Sequence, residues 1–235
     1  MLKNLKAELK KFASPQKAKI LARFFKTGKG EYGERDIFIG VVVPDIRKIS
    51  KKYFNLINLN TAEELLHSKI HEERLCSLLI LVEKFRKSDE KIKEQIYKLY
   101  LKNTKHINNW DLVDLSAQHI VGEFLFDKPK TILYKLAKSK NLWERRISIL
   151  ATFNYIYKNQ CKETLKIAEI LLKDEHDLIH KSVGWMLREA GKHCSQEILE
   201  DFLKKHYKQM PRTMLRYAIE RLPEKKRKLY LGGKT

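Results

Sequence analysis

Five segments with similar apolar spacing recur from residue 74 onward, and they constrain the fold more than any other feature. Their first residues are 31 to 40 positions apart, about the length of one helical hairpin. The segments are RLCSLLIL from 74, DLSAQHIV from 114, RISILATF from 146, KSVGWMLR from 181 and RTMLRYAI from 212. Each is predicted to be the second helix of a hairpin, and stacked hairpins form an α-solenoid whose second helices line one face. The repeat therefore predicts an all-α fold.

Composition and local periodicity also favour helices. Gly (9) and Pro (5) are few, and apolar residues at 75, 78, 79 and 82, then at 92, 96, 99 and 100, follow helical spacing. The β-branched stretch RDIFIGVVVP (35–44) has no second convincing strand to pair with. We expect it to run extended between helices until Pro44 starts the next one. We predict a single domain over residues 1–235, with a tail (224–235) that frays.

The charge of the chain restricts its partners. Lys and Arg number 49 and Asp and Glu 29, giving a net charge of +20, which favours nucleic acid, acidic proteins or anionic membranes. The longest apolar run, Cys76 to Val82, is seven residues, whereas a membrane span needs about 20. With no recognisable signal sequence, we expect a cytoplasmic protein. Cys161 and Cys194, like Cys76, show no paired spacing, so all three are predicted to be reduced.

Motifs for common cofactors and metals are weak or missing. GKGEYG (28–33) matches a dinucleotide-binding pattern, but a helix precedes it and an extended run follows, the reverse of what phosphate binding needs. We predict a connecting loop there. The eight histidines form no zinc-binding pattern. The sequence therefore predicts neither a cofactor nor a metal.

An acidic pair in NNWDLVD (108–114) is unexpected in a chain this basic. Asn108 or Asn109 can cap a helix, which places Asp111 in its first turn, where a carboxylate complements the helix dipole. Trp110 and Asp114 are four residues apart and should share one face. Asp111 thus has a structural explanation, and Asp114 needs another.

The repeat alignment places Asp114 in a row with basic residues of the later hairpins. The inferred face carries Trp110, Asp114, Arg146, Lys181, Trp185, Arg212 and Arg216. One interpretation is that the tryptophans fill the core and Asp114 pairs with Arg146. The other is that a carboxylate retained on a DNA-facing surface meets positive charge that arises in the substrate. Both interpretations remain open at this point.

At these residues the sequence resembles the AlkD-type DNA alkylation repair glycosylases. The resemblance rests on W-D-x-V-D, W-x-x-R and G-W-x-L-R-E, which occur here in NNWDLVDLSAQHIVGEFL, NLWERRISIL and HKSVGWMLREAGK. It implies a solenoid of HEAT-like antiparallel hairpins with a concave basic face. It also implies hydrolysis of the N-glycosidic bond of cationic N3- or N7-alkylated purines, without metal or cofactor, while the lesion stays stacked in the duplex.

The resemblance also implies roles for individual residues. The catalytic aspartate corresponds to Asp114, and the two active-site tryptophans to Trp110 and Trp185. Arg146 matches an arginine that lines the same cleft, and Arg188 matches an arginine that contacts the DNA backbone.

The chain departs from the family pattern just before Pro44. Some candidate DNA contacts are also assigned only from their place in the sequence. Val42 and Val43 stand where the best-known members have polar residues, with Arg47 a few positions later as a candidate DNA contact. The repeat alignment adds three more candidate contacts, Lys181, Arg212 and Arg216.

Three functions follow from these observations. The first is a monofunctional glycosylase acting on alkylated double-stranded DNA, as a monomer associated with the nucleoid in the cytoplasm. The second is a non-catalytic HEAT-like protein that binds DNA or RNA structures. The third is a protein-binding solenoid, which the charge of +20 does not favour.

Overall fold

The computed structural model describes residues 1–233, and the regular elements of that part of the chain are helices. One isolated parallel bridge joins Ile37 and Ile70. The predicted all-α fold class is confirmed. The backbone divides into two compact units, Met1–Ile120 and Val121–Thr235. The prediction of one domain over 1–235 stays a prediction.

The first unit begins with short helices and ends at the acidic pair. Its elements are α1 (Leu2–Lys11), α2 (Pro15–Phe24), α3 (Val43–Tyr53), α4 (Leu59–Leu66), α5 (His71–Lys87), α6 (Glu90–Lys102), a 3-10 turn (Thr104–His106) and α7 (Trp110–Asp114). A π-helix (Gln118–Gly122) carries the chain into the second unit. Within the first unit, α5 is the central helix, and it packs against α3, α4, α6 and α7.

The second unit is a series of hairpins. Its elements are α8 (Glu123–Leu125), α9 (Thr131–Ala137), α10 (Leu142–Ala151), α11 (Phe153–Tyr157), α12 (Lys162–Ile170), α13 (Asp177–His193), α14 (Gln196–His206), α15 (Arg212–Ala218) and α16 (Glu224–Leu231). Helix α13 is its central element, and it packs against α10, α12, α14 and α15.

The recurring segments lie mostly where the sequence predicts second helices, in α5, α10 with α11, α13 and α15. The segment from Asp114 differs, because α7 ends there instead of continuing. The hydroxyl of Ser116 donates to the carbonyl of Leu112, one turn back, and also bonds the hydroxyl of Tyr100. Such back-bonding bends helices. The helix predicted to start at the Asn108 or Asn109 cap is therefore interrupted after Asp114.

From Asp36 to Val42 the segment runs extended between helices, as predicted, whereas Arg35 lies in the preceding turn and α3 begins at Val43, one residue before Pro44. The buried carboxylate of Glu72 accepts hydrogen bonds from the backbone N–H groups of Ile39 and Gly40 at 3.0 and 2.7 Å and of Val41 at 3.3 Å. Gly40 has φ +84°, and a Cβ there would lie 2.1 Å from the carbonyl oxygen of Ser14. A larger residue would displace α2. The glycine loop 28–33 joins α2 to this extended segment, as expected for a connection.

Two predictions are wrong. Cys161 and Cys194 form a disulfide, with Cα atoms 6.5 Å apart, while Cys76 is free and buried. Cys161 precedes α12 and Cys194 follows α13, and antiparallel packing of this hairpin brings its two open ends together. The tail also does not fray over 224–231, because α16 forms there and Tyr230 packs edge-on against Tyr207 at 5.5 Å. Residues 234–235 of the predicted tail lie outside the described residues.

Candidate functional site

Helix α7 presents the acidic pair in the first unit. Asn109 is its N-cap, so of the two predicted caps this one is used, and its side-chain oxygen accepts from the backbone N–H of Trp110 at 2.8 Å. Residues 111–113 of the helix are buried, whereas Trp110 and Asp114 are partly exposed. The helix therefore offers solvent one indole and one carboxylate, one turn apart.

An aromatic cluster fixes the ring of Trp110. Phe25 stacks on it with ring centroids 4.9 Å apart and an interplanar angle of 15°, and Phe24 meets it edge-on at 5.8 Å. Phe24 is 62% exposed. Neither phenylalanine was predicted as a site residue; the signal available in the sequence is the apolar stretch ILARFF (20–25) at the end of α2.

Asp114 is the last residue of α7 and lies close to a buried phenol. Burial raises the pKa of Tyr100 well above its usual range, and the negative charge of Asp114 raises it further. Tyr100 thus stays protonated, and its hydroxyl bonds the Ser116 hydroxyl at 2.9 Å. The carboxylate of Asp114 therefore lies at the end of α7, close to the neutral, buried pair of Tyr100 and Ser116.

Asp111 does more than complement the helix dipole. It is in the first turn, as predicted, but it is buried, and its Oδ2 bonds the ring Nε2 of His71 at 2.8 Å. The second ring nitrogen of His71 bonds Asp36 at 3.0 Å. The sequence analysis had no indication of this contact, because Asp36, His71 and Asp111 are separated by 35 and 40 residues.

The first unit also carries Arg47. It is exposed on α3, where a DNA contact is possible on steric grounds. Helix α3 begins after Val42, its N-cap, which makes no side-chain capping bond, and Val43 is exposed. The start of this helix therefore presents apolar side chains, and the cation follows one turn later.

Trp185 and Lys181 lie on α13 in the second unit. Trp185 is partly exposed and meets Phe153 edge-on at 5.4 Å. Lys181 pairs with Asp177 one turn away at 2.7 Å. Gly184 lets α15 pack closely, since a Cβ on it would lie 2.4 Å from the carbonyl oxygen of Met214. This contact keeps α13 and α15 side by side.

Two predicted DNA contacts are engaged within the second unit. Arg188 pairs with Glu189 at 3.1 Å and with Glu220, and its side chain is 17% exposed. Arg146 is 5% exposed and donates to the carbonyl of Leu178 in the first turn of α13. Their role as DNA contacts stays a prediction.

The two arginines of α15 are exposed. Arg212 donates to the carbonyl of Leu231 at 2.6 Å, which ties α15 to the end of α16. Arg216 lies one turn further along the same helix. Of the predicted cations, Arg47, Arg212 and Arg216 are therefore the exposed ones.

Neither a metal centre nor a membrane span is found in the described part of the chain. Within residues 1–233, His, Cys, Asp and Glu side chains form no group of three that could hold a metal ion. None of the helices described is long and apolar enough to cross a membrane.

Comparison with known proteins agrees with these observations. No curated protein matches the sequence significantly. Among solved structures, a predicted DNA alkylation repair enzyme from Enterococcus faecalis is similar, with a TM-score of 0.71 and 15% identity, over 90% of this chain and 97% of that one. At this identity the likeness concerns the fold. The sequence profile of the family described as DNA alkylation repair enzyme matches residues 5–222. The chain therefore belongs to the DNA alkylation repair enzyme family.

Proposed function

We propose that the protein is a monofunctional DNA glycosylase that hydrolyses the N-glycosidic bond of cationic N3- or N7-alkylated purines in duplex DNA. The family accounts for a role in alkylation repair. The observation that carries the specific reaction is the partly exposed pair of Trp110 and Asp114 on α7, beside residues that are otherwise buried. The net charge of +20 favours binding to DNA, and the carboxylate beside an indole can stabilise a cationic base within it.

The chemistry requires little more than charge stabilisation. An alkylated purine is already cationic and leaves as a neutral base, so no general acid is needed. As the bond breaks, positive charge moves to the sugar, and a nearby carboxylate stabilises it. Water then adds to the sugar carbon and loses a proton to solvent, which completes the hydrolysis. At an effective dielectric constant of about 20, opposite charges about 4 Å apart attract by roughly 4 kcal/mol. If this attraction arises only in the transition state, it is worth about three decades of rate.

The remaining residues bind and hold the substrate. Trp110 and Trp185 contact the lesion nucleotide, each contributing about 0.5–2 kcal/mol by cation–π interaction. Six cations supply phosphate contacts: Arg47, Arg146, Lys181, Arg188, Arg212 and Arg216. Arg188 and Arg146 would exchange their protein partners for phosphate, so we expect Arg47, Arg212 and Arg216 to contribute most to the affinity.

The test is the release of 7-methylguanine from a duplex, measured in a single turnover. Asp114→Asn keeps the shape of the side chain and removes its charge, so we expect a rate about 100- to 1,000-fold lower, with duplex affinity within about threefold. Asp201→Asn is the matched control, since it removes the same charge from an exposed surface pair with Lys204. This control should release base at the wild-type rate.

A wild-type rate for Asp114→Asn would refute the mechanism. The second candidate function is a non-catalytic binder of nucleic-acid structure, which the apolar start of α3 at Val42 and Val43 favours, because polar contacts to a lesion strand are missing there. Duplex binding without base release would support this candidate. Failure to bind duplex at low salt would instead favour a protein-binding solenoid.

A further inference from the structure

A buried histidine bridges two carboxylates in the first unit. The Nδ1 atom of His71 lies 3.0 Å from Oδ2 of Asp36, and its Nε2 atom lies 2.8 Å from Oδ2 of Asp111. All three side chains are at most 7% exposed. A neutral imidazole has only one N–H group, so it could donate to one of these carboxylates only. The doubly protonated ring donates to both, which makes His71 a buried cation between two anions.

The bridge holds both chain neighbours of Trp110. Asp111 follows Trp110 and bonds His71, while Asn109 precedes it and donates from Nδ2 to Oδ2 of Asp36 at 3.2 Å. Asn109 and Asp111 also accept from the backbone N–H groups of Trp110 and Leu112, each at 2.8 Å. The Asp36–His71 pair therefore fixes the first turn of α7 on either side of the indole.

The same histidine supports the indole ring through a stack of aromatic rings. Phe25 stacks on Trp110 and lies 5.1 Å from the His71 ring. Phe38 stacks on His71 at 4.5 Å and on Phe25 at 5.0 Å. The orientation of the Trp110 ring therefore depends on His71 through Phe25, in addition to the backbone contacts.

Helix α7 needs such support because it is short. It has five residues, and a helix of this length has no stability of its own in water. Asp114 is its last residue, so any rotation of the first turn also displaces the carboxylate. We propose that Asp36 and His71 are positioning residues, which hold α7 so that Trp110 and Asp114 keep the geometry that base excision requires. This inference rests on the proposed function.

The protonation of His71 gives the inference a pH dependence. The groups that face the ring are Asp36 from the extended segment, Asp111 from α7 and, on α5 itself, Arg74. Burial alone would lower the pKa of His71, but the Asp111 and Asp36 carboxylates overcome this and raise it to about 9 from 6.5. A pKa of about 9 keeps the bridge intact at neutral pH and breaks it as the pH rises through about 9. Its contribution to stability is full below pH 6.5 and is lost over the same rise.

The decisive experiment observes Trp110 directly. The protein contains three tryptophans, so 5-fluorotryptophan gives three 19F resonances, and loss of one in Trp110→Phe assigns it. In the wild-type protein the Trp110 resonance should titrate with a midpoint near pH 9, while those of Trp143 and Trp185 should not. In His71→Gln the Trp110 resonance should shift at neutral pH and lose this titration. His206→Gln, which alters a histidine paired with Glu169 in the second unit, is the matched control and should leave the resonance unchanged.

Excision kinetics complete the test. We expect the wild-type rate of 7-methylguanine release in a single turnover to fall above about pH 9 and His71→Gln to lack this fall. At neutral pH we expect His71→Gln to lower the rate about 10- to 100-fold, with duplex affinity within about threefold. Asp111→Asn, which is isosteric, serves as a second variant if His71→Gln does not fold. It should also lower the excision rate while duplex affinity changes little.

The possible outcomes separate this inference from the proposed function. A Trp110 resonance that ignores both pH and the His71 substitution overturns the inference, whatever the enzyme does. A resonance that shifts while the excision rate stays at the wild-type value also overturns it, because the bridge would then have only a structural role. If the wild-type protein releases no base, the proposed function fails, while the 19F result still decides whether His71 fixes Trp110.

Discussion

Helices α5 and α10, in different units, begin with the same hydrogen-bonded serine, glutamate and arginine, but their first helical residues differ. Their sequences share S-K-x-x-x-E-R-x-x-S, in SKIHEERLCS from Ser68 and SKNLWERRIS from Ser139. In each, the serine hydroxyl donates to the glutamate at 2.6 Å, and a backbone N–H two residues after the serine donates to that hydroxyl at 3.0 Å. The arginine donates to the serine carbonyl at 3.1 Å in α5 and 3.0 Å in α10.

The first helical residue is where the two starts diverge. It is His71 in α5 and Leu142 in α10. Helix α10 starts with a leucine at this position, with the same serine, glutamate and arginine and a capping bond from the backbone N–H of Trp143 to the side chain of Asn141. The shared arrangement therefore forms without a histidine. What His71 adds is the bridge from Asp36 to Asp111, which reaches the helix carrying Trp110 and Asp114. The shared serine, glutamate and arginine thus serve the start of the helix, and the His71 bridge serves the candidate site.

The largest expected difference between the two starts concerns their arginines. Arg74 is 4% exposed and pairs with Asp36 at 2.6 Å, whereas Arg145 is 19% exposed and pairs with Asp174 at 2.6 Å. Arg74→Gln leaves the buried Asp36 carboxylate with less compensating charge, so we expect a loss of about 3–5 kcal/mol in the free energy of unfolding. Arg145→Gln should cost about 1–2 kcal/mol, because Arg145 is itself more exposed, so water already weakens its ion pair and can take its place beside Asp174.

Urea unfolding of both variants measures the two losses, and hydrogen exchange locates them. Faster exchange in α5 and α7 is expected for Arg74→Gln, and in α10 for Arg145→Gln. Asp36 and Asp174 are about equally buried, so equal losses would contradict the view that the exposure of the arginine decides the cost.

The two units also differ in how the helix that carries the candidate site residues is fixed. The bridge through His71 holds α7, while the disulfide between Cys161 and Cys194 closes the hairpin of α12 and α13 over a separation of 33 residues. Loop closure of this length is worth about 2–4 kcal/mol. Reduction should therefore lower the stability of the second unit by this amount and leave exchange in α5 unchanged.

The buried free Cys76 makes it possible to count the disulfide cysteines by alkylation. Burial raises the pKa of Cys76 to about 12, so an alkylating reagent should label only two cysteines after reduction and none before. The double variant Cys161→Ser with Cys194→Ser should be insensitive to reductant and as stable as the reduced wild type. A melting temperature that does not respond to reduction would show that the hairpin is held by packing alone.

Local patterns in the sequence predicted most of the fold, and contacts between distant residues account for what was missed. Apolar spacing identified the helices, and Pro44 marked the end of the extended segment, because both signals lie within a few residues. The disulfide was missed since its two cysteines meet only when α12 folds back on α13. The interruption after Asp114 depends on Ser116 meeting Tyr100 from another helix.

The candidate site divides in the same way. Spacing alone placed Trp110 and Asp114 on one partly exposed face, and it identified Asp111 as a first-turn residue. It could not predict that Asp111 meets His71 and Asp36, because those contacts join three separate segments. It also could not tell which arginines are engaged internally, as Arg188 is by Glu189 and Glu220.

The smallest expected effects belong to the part of the arrangement that the two helix starts share. Ser68→Ala and Ser139→Ala each remove one hydroxyl that bonds a glutamate, and each should cost about 1 kcal/mol in urea unfolding. The informative result is whether the two losses in unfolding free energy are equal. If the serines serve helix initiation alone, the two losses agree within about 0.5 kcal/mol, and neither variant alters excision of 7-methylguanine. A selective loss of excision in Ser68→Ala would mean that the whole start of α5, and not His71 alone, is adapted to hold α7.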